Sequence, residues 1–379
     1  MNNIVPVFIL SLFETGLFSA QLLGKNGIPV YGFDHISHNP GFFSKHIKAT
    51  LVGDPINHRD ALITILIHQS ERFSTKPILI AASELYLNFI YEARETLEKY
   101  FIINLPSQET LQHIIIKSGQ FDLARKFGIN VPDYFVVNHP NDLEVVMHSS
   151  LHYPLIIKGD AQHKWKYAKL NKSYIVNNFT ELRELSSALL LKGVSFIIQT
   201  TIPGPITNNY EYNALMLDGK IVESSLIHKI RQYPVPYGAA TCVETCTNNE
   251  IEEMGRKFVI ENGIEGFSNT EFKLDPRDGK YYFIETNVRV WLQIKLTESL
   301  GQNFLLSYYE RQKKPYSDNK KTIKTVKWVD PFGDLMYLLR VNSTFSGLWG
   351  VITSYCNAVT FGLLNITDIN PLLKTLKIK

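Results

Sequence analysis

The stretch EGFSNTEFKLDPRDGKYYFIETNVRVW, Glu265–Trp291, holds two alternating runs on either side of Asp275-Pro276-Arg277-Asp278-Gly279. It reads as a β-hairpin closed by the three-residue loop Arg277-Asp278-Gly279, with Gly279 in the left-handed region that such loops favour. Pro276 then faces Lys280, and counting outward pairs Leu274 with Tyr282, Lys273 with Phe283 and Glu271 with Glu285. Because strand side chains alternate with period two, one face carries Glu271, Lys273, Glu285, Asn287 and Arg289. The opposite face, with Phe272, Leu274, Tyr282, Ile284 and Val288, is expected to be core.

Two glutamates directly opposite each other repel in a bare sheet. A divalent cation between them removes the conflict, and magnesium takes one or two carboxylates with its other ligands from water and phosphate. Glu271, Glu285 and the amide oxygen of Asn287 form such a set, with manganese the alternative ion. Arg289 follows two residues on, where a guanidinium can grip a phosphate or a carboxylate. The competing reading is a surface hairpin with a polar solvent face.

The rest of the chain supplies a frame for this hairpin. Its 379 residues are enough for two or three packed units, and 45% hydrophobic content is ordinary for a globular protein. A net charge of +3 is too weak and too dispersed to argue for nucleic acid or an anionic membrane. Cys242, Cys246 and Cys356 have no metal-ligand spacing. The N-terminus lacks a basic start and Glu14 interrupts its apolar run, so a cytoplasmic protein is expected. Val341–Thr367 contains no charged residue. Its length alone would allow a membrane span, but scattered Ser, Thr and Asn favour a helix buried against the body.

Strand and helix signals alternate through the first hundred residues. Ile4–Leu10, Gly27–Asp34, Lys76–Ser83 and Tyr100–Pro106 read as strands, and Leu17–Leu23 and Leu85–Lys99 as helices. Such short units imply a parallel sheet. No G-x-G-x-x-G follows the first strand, and no G-x4-G-K-[ST] occurs anywhere. A single helix should then run from Glu109 to a stop at Gly128, ahead of Pro132 and a strand. Tyr153–Asp160 and Val194–Pro205 read as further strands, and Asp218-Gly219 closes another hairpin. Arg311–Lys324 is polar and Lys-rich and reads as a surface connection.

In this order the features resemble the ATP-grasp superfamily, on its carboxylate–amine ligase branch, with biotin carboxylase more distant. The family's metal strand has the form E-x-N-x-R, and Glu285-Thr286-Asn287-Val288-Arg289 matches it; Glu271 matches the preceding carboxylate. The resemblance runs from about Ile4 to Leu306. It implies an α/β, α+β architecture: a Rossmann-like domain over residues 1–105, an ATP-grasp domain with antiparallel sheets over 106–312 and a C-terminal helical appendix over 313–379. A lid subdomain would occupy about 120–192.

The resemblance also implies roles for particular residues. Lys117 and Lys158 match the two lysines that hold the nucleotide phosphates. Gln199, Thr200, Thr201 and Ile202 match the hinge against which adenine sits, and Glu211 the acid that binds ribose. The sequence departs from the family after the strand lysine, where proline is usual and Gly159-Asp160 stands instead. The Gly-rich loop that covers the phosphates is also replaced, by the Lys-rich GDAQHKWKYAKLNKS.

The implied reaction activates a small carboxylate with ATP and magnesium and joins it to an amine, with small molecules as partners and no nucleic acid. Carboxylation through carboxyphosphate and a non-catalytic nucleotide-binding relative are the alternatives. Arg231, after a strand and before a Pro/Gly-rich loop, is a candidate clamp for the substrate carboxylate, with an exposed loop arginine as the plain alternative. Lys273 shares the metal face and is assigned a phosphate contact. His228 and Lys229 read as a solvated basic pair, and His35 and His38 as loop residues. The oligomeric state is open, with a homodimer among the options.

Overall fold

The computed structural model describes residues 4–147, 149, 151–161, 165, 167–311, 325–356 and 358–378. The first unit is a four-stranded parallel sheet in the order β3-β2-β1-β4, built from β1 (Val7–Leu10), β2 (Val30–Asp34), β3 (Lys48–Leu51) and β4 (Ile78–Ala81). Helix α1 (Glu14–Gly24) connects β1 to β2, α2 (Arg59–Ser70) connects β3 to β4, and α3 (Glu84–Leu97) follows β4. Every residue of β1 and β4 is buried, as expected of strands covered on both faces. The expected strand Tyr100–Pro106 shrinks to a single parallel bridge, Ile102 with Ile78. β3 and α2 were not foreseen: β3 is short and largely exposed, so no apolar run marks it.

The next segment differs from the single helix read in the sequence. Two helices, α4 (Gln108–Ile114) and α5 (Lys117–Lys126), are separated at Ile115-Ile116, where Ile116 leaves the helix to bridge Ala161. The break lets α5 begin at Lys117. Gly128, at φ +73°, closes the segment as expected.

A second sheet, in the order β5-β8-β6-β7, is antiparallel throughout. It comprises β5 (Tyr134–Val137), β6 (Leu155–Gly159), β7 (Tyr174–Val176) and β8 (Phe196–Thr200). Helices α6 (Asp142–Met147) and α7 (Phe179–Leu191) belong to this unit, which has its own core around Trp165, Phe196 and Ile198.

The third and largest sheet has seven strands. β9 (Asn209–Leu217), β10 (Lys220–Tyr233), β11 (Ala239–Thr245), β12 (Gly266–Leu274) and β13 (Tyr281–Asn287) are antiparallel neighbours in the order β13-β12-β9-β10-β11. Asp218 and Gly219 both have positive φ and close the β9–β10 hairpin, as their sequence predicts. Helix α8 (Asn249–Glu261) packs Phe258 against Phe283, and α9 (Leu296–Ser299) and α10 (Phe304–Arg311) follow β13.

The C-terminal region is more than a helical appendix. β14 (Lys327–Val329) pairs with β11, and β15 (Ala358–Phe361) runs parallel to β14, so both extend the large sheet. Between and after them lie α11 (Pro331–Arg340), α12 (Phe345–Cys356) and α13 (Asn370–Ile378). The expected surface connection at Arg311–Lys324 lies outside the described residues, apart from Arg311. Among the described residues no helix is long and apolar enough to cross a membrane.

Candidate functional site

The site is a face of the large sheet. Glu271 of β12 stands opposite Glu285 of β13 on one side and Glu211 of β9 on the other. Three carboxylates therefore lie in one row across three strands. Two residues along, Asn269 stands opposite Asn287 and Asn213, which makes a parallel row of amides. Asn269 Nδ2 donates to Glu211 Oε2 at 2.9 Å and to Asn213 Oδ1 at 2.7 Å, and Asn287 Nδ2 reaches Asn269 Oδ1 at 3.5 Å.

The expected Glu271–Glu285 pairing is present, but by a different route. The loop is one residue longer, Pro276–Gly279, so Leu274 pairs with Tyr281 and Lys273 with Tyr282. A bulge at Ile284 then restores the register before Glu285. Core membership changes accordingly. Phe283 is fully buried against Phe272, whereas Tyr282 and Ile284, expected in the core, are only half-buried. Gln120 fixes the strand beyond the bulge: its side chain accepts from Thr286 N at 2.9 Å and donates to Thr286 O at 3.0 Å.

Lysines neutralise the row. Lys229 Nζ lies 2.7 Å from Glu271 Oε2 and 3.3 Å from Glu211 Oε1, and Lys117 Nζ lies 2.5 Å from Glu285 Oε2. Lys229 is 7% exposed, not the solvated residue its sequence context suggested. Burial pulls its pKa down, but Glu271 and Glu211 outweigh burial and raise it. Glu211 is 4% exposed, and burial, opposed by Lys229, lifts its pKa above the usual carboxylate range. Burial would also lift Glu285; Lys117, with Lys172 and Lys158, instead holds it well below that range.

Lys117 and Lys158 arrive from elements tied to each other. Asp160, just past the end of β6, accepts from Ser118 N at 2.8 Å and from Ser118 Oγ at 3.0 Å, while Lys117 N donates to Asp160 O at 2.9 Å. Asp160, two residues after the strand lysine, is thus a cap for the first turn of α5. Gly159 is needed beside it, since an added Cβ would sit 2.5 Å from Trp165 Cβ and Cγ. Lys158 itself is half-buried, and burial first, then the Lys117 charge, pushes its pKa down to about 7. Lys273 faces the same way as Glu271; burial lowers its pKa too, and Lys229 adds to the drop.

Of the Lys-rich segment after β6, Lys164 and Lys166 lie outside the described residues. Lys172 is close enough to lower the pKa of both Glu285 and Lys158. Five lysines, Lys117, Lys158, Lys172, Lys229 and Lys273, thus stand against three carboxylates, Glu211, Glu271 and Glu285.

Two expected site residues are engaged elsewhere. Arg231, the candidate substrate clamp, is 7% exposed and holds Asp334 of α11 through Nε at 3.0 Å and Nη2 at 2.6 Å; its Nη1 reaches Ser354 Oγ of α12 at 3.0 Å. It ties the C-terminal helices to the sheet, which corrects the clamp reading. Arg289 pairs through Nε and Nη2 with Glu84 in the first turn of α3, so it joins the end of the site strand to the first unit.

The hinge residues follow β8. Gln199 is buried with Oε1 lacking a hydrogen-bond partner, and Thr200 N donates to Asp133 O at 2.9 Å. Thr201 Oγ1 donates to Pro154 O at 3.1 Å, and Ile202 is half-buried. A buried acceptor without a partner costs about 1–3 kcal/mol, which an N–H donor on a ligand would relieve.

The donor set suits a hard divalent cation that draws most of its ligands from phosphate and water. Among the described residues no group of three or more His, Cys, Asp or Glu side chains converges on a metal position. Glu271 and Glu285 stand opposite each other in the register, and Asn287 directs its amide nitrogen at Asn269, which leaves its oxygen as the group to offer an ion.

A parallel four-stranded sheet, a small antiparallel sheet and a large sheet carrying a lysine-lined row of carboxylates define the class: the chain has the ATP-grasp fold. It is similar to the L-amino acid ligase of Bacillus licheniformis, at a TM-score of 0.66 and 17% identity, covering 86% of this chain and 80% of that one. It is also similar to N5-carboxyaminoimidazole synthetase of Staphylococcus aureus, solved with ADP, at a TM-score of 0.68 and 14% identity over 89% and 86% of the two chains. Residues 231–303 match the family model for the ATP binding domain of the carbamoyl-phosphate synthase L chain. In sequence, the chain is 23% identical over 239 residues to the D-aspartate ligase of Enterococcus faecium, covering 60% of this chain and 57% of that protein's length.

Proposed function

We propose that the protein is an ATP-dependent carboxylate–amine ligase. ATP would phosphorylate a small carboxylate to an acyl phosphate, and an amine would displace the phosphate, giving an amide, ADP and inorganic phosphate. The observation that carries this reading is the row Glu211–Glu271–Glu285 with its excess of lysines. Phosphoryl transfer is mostly positioning and charge neutralisation, and such a cluster supplies both.

Lys117 and Lys158 would bind phosphate oxygens, with Lys172 and Lys273 closing over them, in place of a Gly-rich loop. Glu271, Glu285 and the Asn287 oxygen would hold magnesium, which when bound neutralises phosphate charge. The Gln199–Ile202 hinge would hold the base and Glu211 the ribose. Arg289, anchored on Glu84, would hold the substrate carboxylate at the seam with the first unit. Similarity to an amino acid ligase and to D-aspartate ligase supports an amino acid as the carboxylate.

The test is ADP release with a panel of amino acids and amines, with bicarbonate as a separate arm for carboxylation. Release should require magnesium and a carboxylate, and Glu285→Gln should lower it by about 100-fold or more. Nucleotide binding without turnover for any pair, unchanged in Glu285→Gln, would falsify the ligase reading.

A further inference from the structure

The two strands of the site hairpin carry mirror triplets, Asn269-Thr270-Glu271 on β12 and Glu285-Thr286-Asn287 on β13. In antiparallel register this sets Glu against Glu, Thr against Thr and Asn against Asn. The threonines alternate to the opposite face, where both are buried and their Oγ1 atoms lie 3.0 Å apart, so they hold the register. Glu271, Glu285 and Asn287 make up the ligand set of the proposed reaction. Asn269, the fourth member of the mirrored faces, is buried in the same row and belongs to no part of that set.

Every polar atom of the Asn269 side chain is spent on a neighbour. A side-chain amide carries two donor hydrogens on nitrogen and only acceptor capacity on oxygen. Asn269 Nδ2 donates to Glu211 Oε2 at 2.9 Å and to Asn213 Oδ1 at 2.7 Å, which uses both hydrogens. Its Oδ1 accepts from Asn287 Nδ2 at 3.5 Å. The bonding network decides which end of an amide points where. Here one neighbour cannot be reversed, because Glu211, ion-paired with Lys229, only accepts. Turning Asn269 over would set its oxygen against that buried carboxylate.

We propose that Asn269 is a positioning residue that passes the polarity of Glu211 to Asn287. Glu211 draws the Asn269 nitrogen toward β9, which turns the Asn269 oxygen toward β13. That oxygen draws the Asn287 nitrogen and leaves the Asn287 oxygen for the ion. Groups behind a metal ligand orient it in this way. The inference rests on the ligase reading, in which Glu211 meets the ribose and Asn287 the magnesium; Asn269 makes the two one hydrogen-bonded unit. Asn213 stands beside this relay and not in it: it accepts from Asn269, and its own Nδ2 has no partner among the described residues.

The experiment is calorimetric titration of the full chain with ADP, with and without Mn2+; the ratio of the two Kd values isolates the contribution of the metal. In Asn269→Leu that ratio should shrink by about 10-fold or more. Asn269→Ser, too short to reach both neighbours, repeats the test with less disturbance of the fold. Asn213→Leu keeps the bond from Asn269 to Glu211 and should hold the ratio within about two-fold of wild type, as should adding Asn269→Leu to a chain that already carries Asn287→Ala, when compared with Asn287→Ala alone. The proposal is overturned if Mn2+ does not tighten ADP binding in the wild type, or if the ratio is unchanged in both Asn269 variants. It is equally overturned if Asn213→Leu lowers the ratio as much as Asn269→Leu, or if Asn269→Leu has its full effect without Asn287. Magnesium-dependent ADP release by the wild type, measured separately, decides the ligase reading whatever Asn269 does.

Discussion

Lys158 offers a test that reads the electrostatics of the cluster directly. Its pKa of about 7 in the unliganded protein means that near pH 8 it is about nine-tenths neutral. A bound phosphate chain favours the charged form and returns the ammonium toward its ordinary range. Nucleotide binding near pH 8 should therefore take up about 0.9 of a proton at this residue. The sign follows: affinity is highest below pH 7 and falls as pH rises, by about five-fold, or ~1 kcal/mol, from pH 7 to pH 8. Folding runs the other way. The unfolded chain binds this proton more tightly, so the unliganded protein gains stability as pH rises from about 7 toward the unfolded value.

Calorimetric titration of ADP in two buffers of different ionisation heat counts the protons. Lys158→Met is the control, because titration of the nucleotide itself is common to both proteins. The wild type should take up most of one proton more than the variant. Equal uptake by the two proteins would show that Lys158 is charged before the ligand arrives, and the account of the cluster would fail.

Lys229→Met should leave Glu211 and Glu271 opposed and uncompensated, costing about 3–5 kcal/mol in denaturant unfolding; adding Glu271→Gln should recover part of that loss. Arg231→Met should lower stability by a similar ~3–5 kcal/mol while leaving the KM of the carboxylate unchanged, whereas a substrate clamp would show in KM. Gly159→Ala should force Cβ against Trp165 and cost about 1–3 kcal/mol, with a shift in the tryptophan emission of the small sheet. If the emission and the melting temperature both match wild type, the close approach of Gly159 to Trp165 is mistaken.

The parallel sheet and both hairpins were legible because apolar runs and D-G turns are local signals. What escaped was any feature set by a single extra residue. Counting back from Asp218-Gly219 without a bulge pairs Glu211 with Leu226 and places Lys229 on the opposite face. The structure inserts Val222 as a bulge, so Glu211 pairs with Ile227, and the change of parity swings Lys229 into the carboxylate row. The Glu271–Glu285 pairing came out right because the longer loop and the bulge at Ile284 cancel. Arg231 has the composition of a loop clamp in sequence; only its partner Asp334, 103 residues away, shows otherwise. The uncharged C-terminal run likewise signals helix without saying which face the core would accept.

The departure at Gly159-Asp160 has a structural meaning that the family pattern hides. Lys158 lies on β6 of the small sheet, whereas Lys117 opens α5, whose Gln120 is locked to β13 of the large sheet. Asp160 bonds the first turn of α5 through both carboxylate oxygens, so it joins the small sheet to the strand that carries Glu285. The family's proline would stand at Gly159, next to the strand lysine, whereas the coupling is made one residue further on, by Asp160. Here the two lysines approach as one unit, and their mutual repulsion, which lowers the Lys158 pKa, is built in before any ligand binds. An anion entering between them relieves that repulsion and the desolvation together. The proposed phosphate role of the pair rests on this relief, in place of a glycine-rich cover.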